Sequence, residues 1–272
     1  MSEDRISGFG QIKIYIGKCF RLFKSEKQWK NFISTLIIVF IICMVTDEEM
    51  FREYLPTKNG CFAVVCACIW TGLFNSIQSV CRERAIIKRE YRTGLRISSY
   101  VLAHAFYELV LCLGESLIII AAVIVKNQGH LPEEGLCLWP LMDLWFSFFL
   151  ITFSADMIAL LISCIVKDEN TAMTVMPFIL IIQLVMSGSV FELKGVSETI
   201  SQFTVSKWGM NVLVAIANTD SGVYTGYGFR GGSGSEPELK TALLGWGVML
   251  LFALVYILLA MLLLRRVDKD KR

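Results

Sequence analysis

The chain has 272 residues, of which 55% are hydrophobic and 18% charged, with a net charge of +2 and a mean hydropathy of +0.58. Soluble domains carry about 25% charged residues. Here the charges are also gathered between long apolar runs, which excludes a soluble globular protein and predicts an all-α, polytopic membrane protein. So small a net charge, with no basic surface carrying interleaved aromatics away from the membrane flanks, excludes a nucleic-acid partner.

Residues 9–24 come first. Phe9, Ile12, Ile16, Cys19, Phe20 and Phe23 fall within a sector of about 100° at helical spacing. Lys18 and Arg21 point elsewhere, and Lys13 and Lys24 lie at the edges. The pattern predicts a basic amphipathic helix along the inner membrane surface, with the lipid bilayer as its partner. The first apolar run starts near Phe32, late for a secretory signal, and no small-residue cleavage site follows. Residues 29–46 are therefore expected to remain as the first span.

Asp47, Glu48, Glu49, Arg52 and Glu53 follow in a polar loop, then residues 61–81, 21 positions without a charge, as the second span. Residues 82–97 come next, with Arg82, Glu83, Arg84, Lys88, Arg89, Glu90, Arg92 and Arg96. So dense a charged stretch between two membrane-length runs belongs in water, and its helical spacing predicts a stiff helix presented to a soluble partner. Residues 97–125, 136–166 and 171–190 are the third, fourth and fifth spans. A long outer loop, 191–240, ends in a Gly-rich stretch at 226–234, and residues 241–264 form the sixth span. With both termini inside, the cytoplasmic segments hold nineteen basic residues and the outer ones seven, a positive-inside bias that sets the orientation.

Groups able to carry chemistry are few. His104, Glu108 and Glu115 share one face of the third span, at offsets of four and seven. Intramembrane ionisable groups are costly and face a wet cavity or a protein interior. Two readings stand: a proton or cation relay, as in a proton-coupled secondary transporter, or a polar seam pairing with a neighbouring helix. Asp143 and Asp156 lie on opposing faces of the fourth span, Asp156 the deeper. The nine cysteines lie in or beside apolar runs, and Cys66-x-Cys68 has no accompanying histidine or second pair. His104 and His130 are the only histidines. No metal site, disulfide framework, nucleophile motif or P-loop is expected. Residues 194–217 are too polar to span, and are expected to form short helices dipping into the outer face of the membrane or a lid over the last two spans.

These pieces resemble the membrane (permease) domain of the G subfamily of ATP-binding-cassette transporters and related bacterial type-2 exporter permeases. Two stretches carry the likeness: Glu83 to Tyr100, E-R-x-x-x-K-R-E-Y-R-T-G-L-R-I-S-S-Y, and Ser187-Gly188 followed by S-E-T-I-S-Q-F-T-V-S-K-W-G-M-N-V-L. The first resembles the family's coupling segment and the second its outer re-entrant helices.

The resemblance implies a permease half in the cell membrane. Glu83, Arg84, Lys88, Arg89, Glu90 and Arg92 would dock on an ATPase subunit, which carries the ATP and Mg; this chain holds no cofactor and does no chemistry. A second permease subunit, identical or not, would complete a central cavity. The resemblance lines that cavity with Trp70, Thr71, Phe74, Asn75 and Gln78 of the second span and Ile181, Leu184 and Val185 of the fifth. So apolar and aromatic a lining suits an amphipathic or lipid-like substrate.

The sequence departs from the pattern in three places. Ser189 and Val190 follow Ser187-Gly188 where some relatives carry bulky apolar gate residues. Leu109 and Val110, not proline, follow Glu108. The outer loop 191–240 lacks cysteine, which the resemblance associates with a bacterial source. The nucleotide-binding domain fused in many relatives is expected on a separate subunit or on a part of the protein outside these residues.

Overall fold

A computed structural model describes residues 7–25, 30–46, 50–51, 54–127, 132, 136–137, 139–191, 193–217 and 235–265. Among them there is no strand. The helices are α1 (Gly8–Ser25), α2 (Lys30–Val45), α3 (Tyr54–Ser76), α4 (Ser79–Arg92), α5 (Ile97–Lys126), α6 (Pro140–Ile165), α7 (Glu169–Val185), α8 (Val196–Ser201), α9 (Val205–Ala217) and α10 (Ser235–Leu264). Trp29, the acidic cluster 47–49, Arg52, Glu53, His130, the Gly-rich stretch 226–234 and the basic tail beyond Arg265 lie outside the described residues.

Four apolar stretches are long enough to cross a bilayer: Leu55–Arg92, Ile97–Lys126, Pro140–Ile165 and Leu239–Leu264. α2 and α7, with 16 and 17 residues, reach about 24 and 26 Å at 1.5 Å per residue, just short of a hydrocarbon core of about 30 Å. The protein is thus an all-helical, polytopic membrane protein.

α6 occupies the centre, packed against α3, α5, α9 and α10. It starts at Pro140, whose missing N–H costs nothing in a first turn. Asp143 then reaches back, and its carboxylate accepts from the amides of Leu136 and Cys137 at 2.9 and 3.1 Å. The most extensive helix packing is between α3 and α6. At Gly72 a Cβ would collide with the Thr152 carbonyl oxygen and stand 3.0 Å from the Asp156 amide. Small residues permit this approach where lipid supplies no hydrophobic drive for association. Ile69, Leu73, Phe148 and Ile151 fill the seam. A second cluster, Val80, Ile87, Tyr100, Met157, Leu160 and Leu264, closes the end nearest α4.

α7 is joined to the bundle along one stripe, Ala172, Met176, Leu180 and Gln183. Its N-terminus is capped by Asp168, whose carboxylate accepts from the Thr171 amide at 2.8 Å. After α7 the chain turns at Gly188, φ +76°. The apolar side of α9 is buried against α3, α6 and α10. The Gln183 side chain and backbone carbonyl oxygens accept from the amide and hydroxyl of Ser206 respectively, tying α7 to the start of α9.

Candidate functional site

The charged residues of α4 divide into two sets. Glu83 faces inward and accepts from Lys18 Nζ at 3.0 Å and from the Tyr100 hydroxyl at 3.1 Å. Glu90 accepts from the Tyr15 hydroxyl at 2.6 Å. Burial, reinforced by the Glu90 carboxylate, raises the Tyr15 phenol above its ordinary range, so this proton stays on the tyrosine. Arg84 also turns into the fold and donates to the backbone carbonyls of Cys164 and Val166. Lys88 is half-buried. Arg82, Arg89 and Arg92 are exposed, and Ile86 stands among them 40% exposed. Positions 82, 86 and 89 lie one helical turn apart, giving an outward stripe of arginines around one isoleucine.

α1 supports this helix from the side. Gln11 donates to the Gly94 carbonyl and accepts from the Arg96 amide, and the Ser99 hydroxyl donates to the Gly8 carbonyl. Cys19 is buried against α5, and that burial pushes its thiol up to about 12. Ile12, Ile16 and Phe23 are half-buried, whereas Phe9 and Phe20 face outward, Phe9 being 81% exposed. The turn from α4 to α5 needs Gly94, whose φ of +106° side chains disfavour.

The residues of α3 also separate by face. Trp70 is exposed and stacks on half-buried Phe74, ring centroids 5.9 Å apart and 15° from parallel. Gln78, in the turn that follows α3, is half-buried. Thr71 points into the bundle, and Asn75 donates to Glu115 at 2.7 Å. On α7, Ile181 is exposed, as are Phe178 and Ile182, and Leu184 and Val185 are half-buried.

The intramembrane polar groups go to different neighbours. Glu115 is buried, bonded to Asn75 and, at 3.4 Å, to the Thr35 hydroxyl. Glu108 is buried one turn before Cys112, whose thiol donates to Asp156 of α6 at 3.3 Å. His104 packs on the Tyr100 ring at 4.5 Å and lies 3.9 Å from Cys19 Sγ. The shared helix face therefore looks onto α1, α6 and the α2–α3 pair. Among the described residues no group of three His, Cys, Asp or Glu side chains is placed to hold a metal ion.

Sequence reasoning missed Ser163, which contacts the start of α4, and the partners Gln11, Tyr15 and Lys18. Ser163 is one of three serines in α6, and nothing in the sequence sets it apart from the other two. Lys18 gave one, since it falls outside the apolar sector of α1.

A bundle of apolar helices with a charged helix braced at one end defines a polytopic membrane protein. The family model for ABC-2 type transporters matches residues 10–217, and the chain belongs to that family, as a permease component of an ATP-binding-cassette transporter. It is also 27% identical over 145 residues to the ABC transporter ATP-binding/permease protein Rv1747 of Mycobacterium tuberculosis. That match takes in 52% of this chain and only 16% of the relative's length.

Proposed function

We propose that this chain is the permease half of an ATP-driven exporter, that it dimerises, and that an ATPase docks on the outward stripe of α4. The observation that carries this reading is the division of α4. Its acidic residues and Arg84 are committed to α1, α5 and α6, so the helix is firmly held, while Arg82, Ile86 and Arg89 are exposed. A held helix with an exposed cationic face suits a partner groove with an acidic rim and an apolar floor. ATP and Mg would be bound by that partner.

In this reading the chain crosses the cell membrane of a bacterium six times, both termini and α4 on the cytoplasmic side, as the distribution of basic residues favours. The open faces of α3 and α7 meet those of a second permease subunit. The Trp70–Phe74 stack and the exposed isoleucines of α7 line the pathway, which suits an amphipathic or lipid-like substrate. Substrate release outward follows when the ATPases close on ATP and push α4.

The test is co-purification from the native membrane. A P-loop ATPase should accompany the solubilised permease, and Arg82→Glu with Arg89→Glu should reduce it at least tenfold at unchanged permease yield. Equal retention by the variant, or labelling of a cysteine at position 89 from outside intact cells, would overturn the reading.

A further inference from the structure

α4 begins after a two-residue turn, Ile77–Gln78, that interrupts the path from α3. In an unbroken helix the Val80 amide would donate to the Ser76 carbonyl. Here the Ser79 hydroxyl takes that carbonyl at 2.9 Å. The amides of Val80 and Cys81 both donate instead to Ser163 Oγ, at 3.0 and 3.1 Å. Gln78, at the position before the helix, contributes no side-chain cap. The cap of α4 is therefore supplied by a fully buried serine of α6.

The return contact comes from Arg84. Its Nη1 donates to the carbonyls of Cys164 and Val166, at 3.2 and 2.7 Å, at the end of α6 where helical carbonyls lack intrahelical partners. Each helix thus satisfies terminal backbone groups of the other. The partial charges agree as well: the positive end of α4 meets the negative end of α6, with the guanidinium on the negative side.

We propose that Ser163 and Arg84 form a two-way clasp that makes α4 and α6 move as one body, so that displacement of α4 enters the membrane bundle through α6. The inference rests on the reading that α4 receives motion from an ATPase. The covalent routes out of α4 are softer. Toward α3 lies the Ile77–Gln78 turn; toward α5 lie residues 93–96, with Gly94 at positive φ. The other face of α4 is held to α1 and α5 through Glu83 and Glu90 by bonds from side chain to side chain. The clasp instead has backbone at one end of every bond, and α6 passes its movement directly to α3, α5, α9 and α10. Ser163 and Arg84 are positioning residues that act through helix placement.

The experiment is hydrogen–deuterium exchange on the permease with its co-purified ATPase in lipid nanodiscs, with and without ATP–Mg and vanadate. In the native complex, nucleotide should alter exchange in both 79–92 and 160–168. In Ser163→Ala the response at 79–92 should persist while that at 160–168 falls at least threefold. Ser163→Thr, which keeps the acceptor, should restore it, and Arg84→Gln should act in the same direction as Ser163→Ala. A native-sized response at 160–168 in Ser163→Ala and in Arg84→Gln overturns the clasp. So does a loss that Ser163→Thr fails to rescue, which marks plain structural damage. Absence of any nucleotide response at 79–92 in the native complex overturns the ATPase reading itself, and the clasp falls with it.

Discussion

α6 and α10 enter the membrane with nearly the same credentials. Each contributes a 26-residue apolar stretch, of mean hydropathy 2.2 and 2.9, yet most of the apolar core of α6 is buried inside the protein and little of that of α10. The difference lies in the polar residues. α6 carries Asp143, Ser147, Thr152, Ser154, Asp156 and Ser163, all buried; the outer side of α10 is leucine after leucine, Leu250, Leu251, Leu254 and Leu258. Lipid accepts apolar surface as readily as a protein core does, but only a protein interior supplies hydrogen-bond partners. In this molecule polarity, not hydrophobicity, marks the inside.

The sharpest way to break the comparison is to disturb the close seam of α6. Gly72→Val drives a side chain against the Thr152 carbonyl, and both opposing atoms are backbone. Overpacking of this kind costs about 3 kcal/mol, and size-exclusion chromatography should show loss of monodisperse protein. Gly247→Ala on α10, where a Cβ meets nothing within 4 Å, should leave the elution profile unchanged. Next is Leu254→Asp, on the lipid face of α10. A carboxylate there costs about 3 kcal/mol of insertion free energy, and the fraction of chain resisting carbonate extraction should fall, whereas Leu254→Ala should not change it.

A smaller effect is expected at Asp143→Ala, which strands the amides of Leu136 and Cys137 at a cost of about 2 kcal/mol. The apparent Tm by intrinsic tryptophan fluorescence should drop, and Asp143→Asn should recover most of it. Ser154→Ala removes a bond to the Met249 carbonyl that joins α6 to α10. Interhelical bonds in membranes average about 0.6 kcal/mol, so a shift near the resolution of the same measurement is expected. The smallest effect lies outside the bundle. The Thr171 amide and hydroxyl hold the exposed Asp168 carboxyl below its ordinary range. A depressed carboxylate contributes stability above its unfolded pKa of about 3.9 and loses it as pH falls through the folded value. Asp168→Ala should therefore differ from native at pH 6 and converge with it under strong acid.

Much of the helical order could be read from charge placement, because charges bound the apolar runs at α3 to α6. The divisions within helices could not. Trp70 and Thr71 are adjacent, yet one is open and the other buried, and which side of α3 meets α6 is decided by Gly72 and its distant partner Thr152. Similarly, Arg82, Arg84 and Arg89 look alike in sequence. Only the position of the α6 carbonyls, some eighty residues along the chain, separates Arg84 from the outward two. The start of α4 shifted for the same reason, since Ser163 allows the helix to restart at Ser79 rather than three residues later. Residues 194–217 looked too polar to span, and the structure forms them into two short helices, α8 and α9, the second buried against α3, α6 and α10.

The polar lining of the bundle also bears on the order in which the protein is made. α5 leaves the ribosome before α6 exists, already carrying two carboxyl groups. Glu115 finds Asn75 and Thr35 on helices synthesised earlier, and so can be sheltered at once. Cys112, one turn beyond Glu108, donates to Asp156, on a helix still to come. The side of this polar lining between α5 and α6 is therefore completed only once α6 has been inserted.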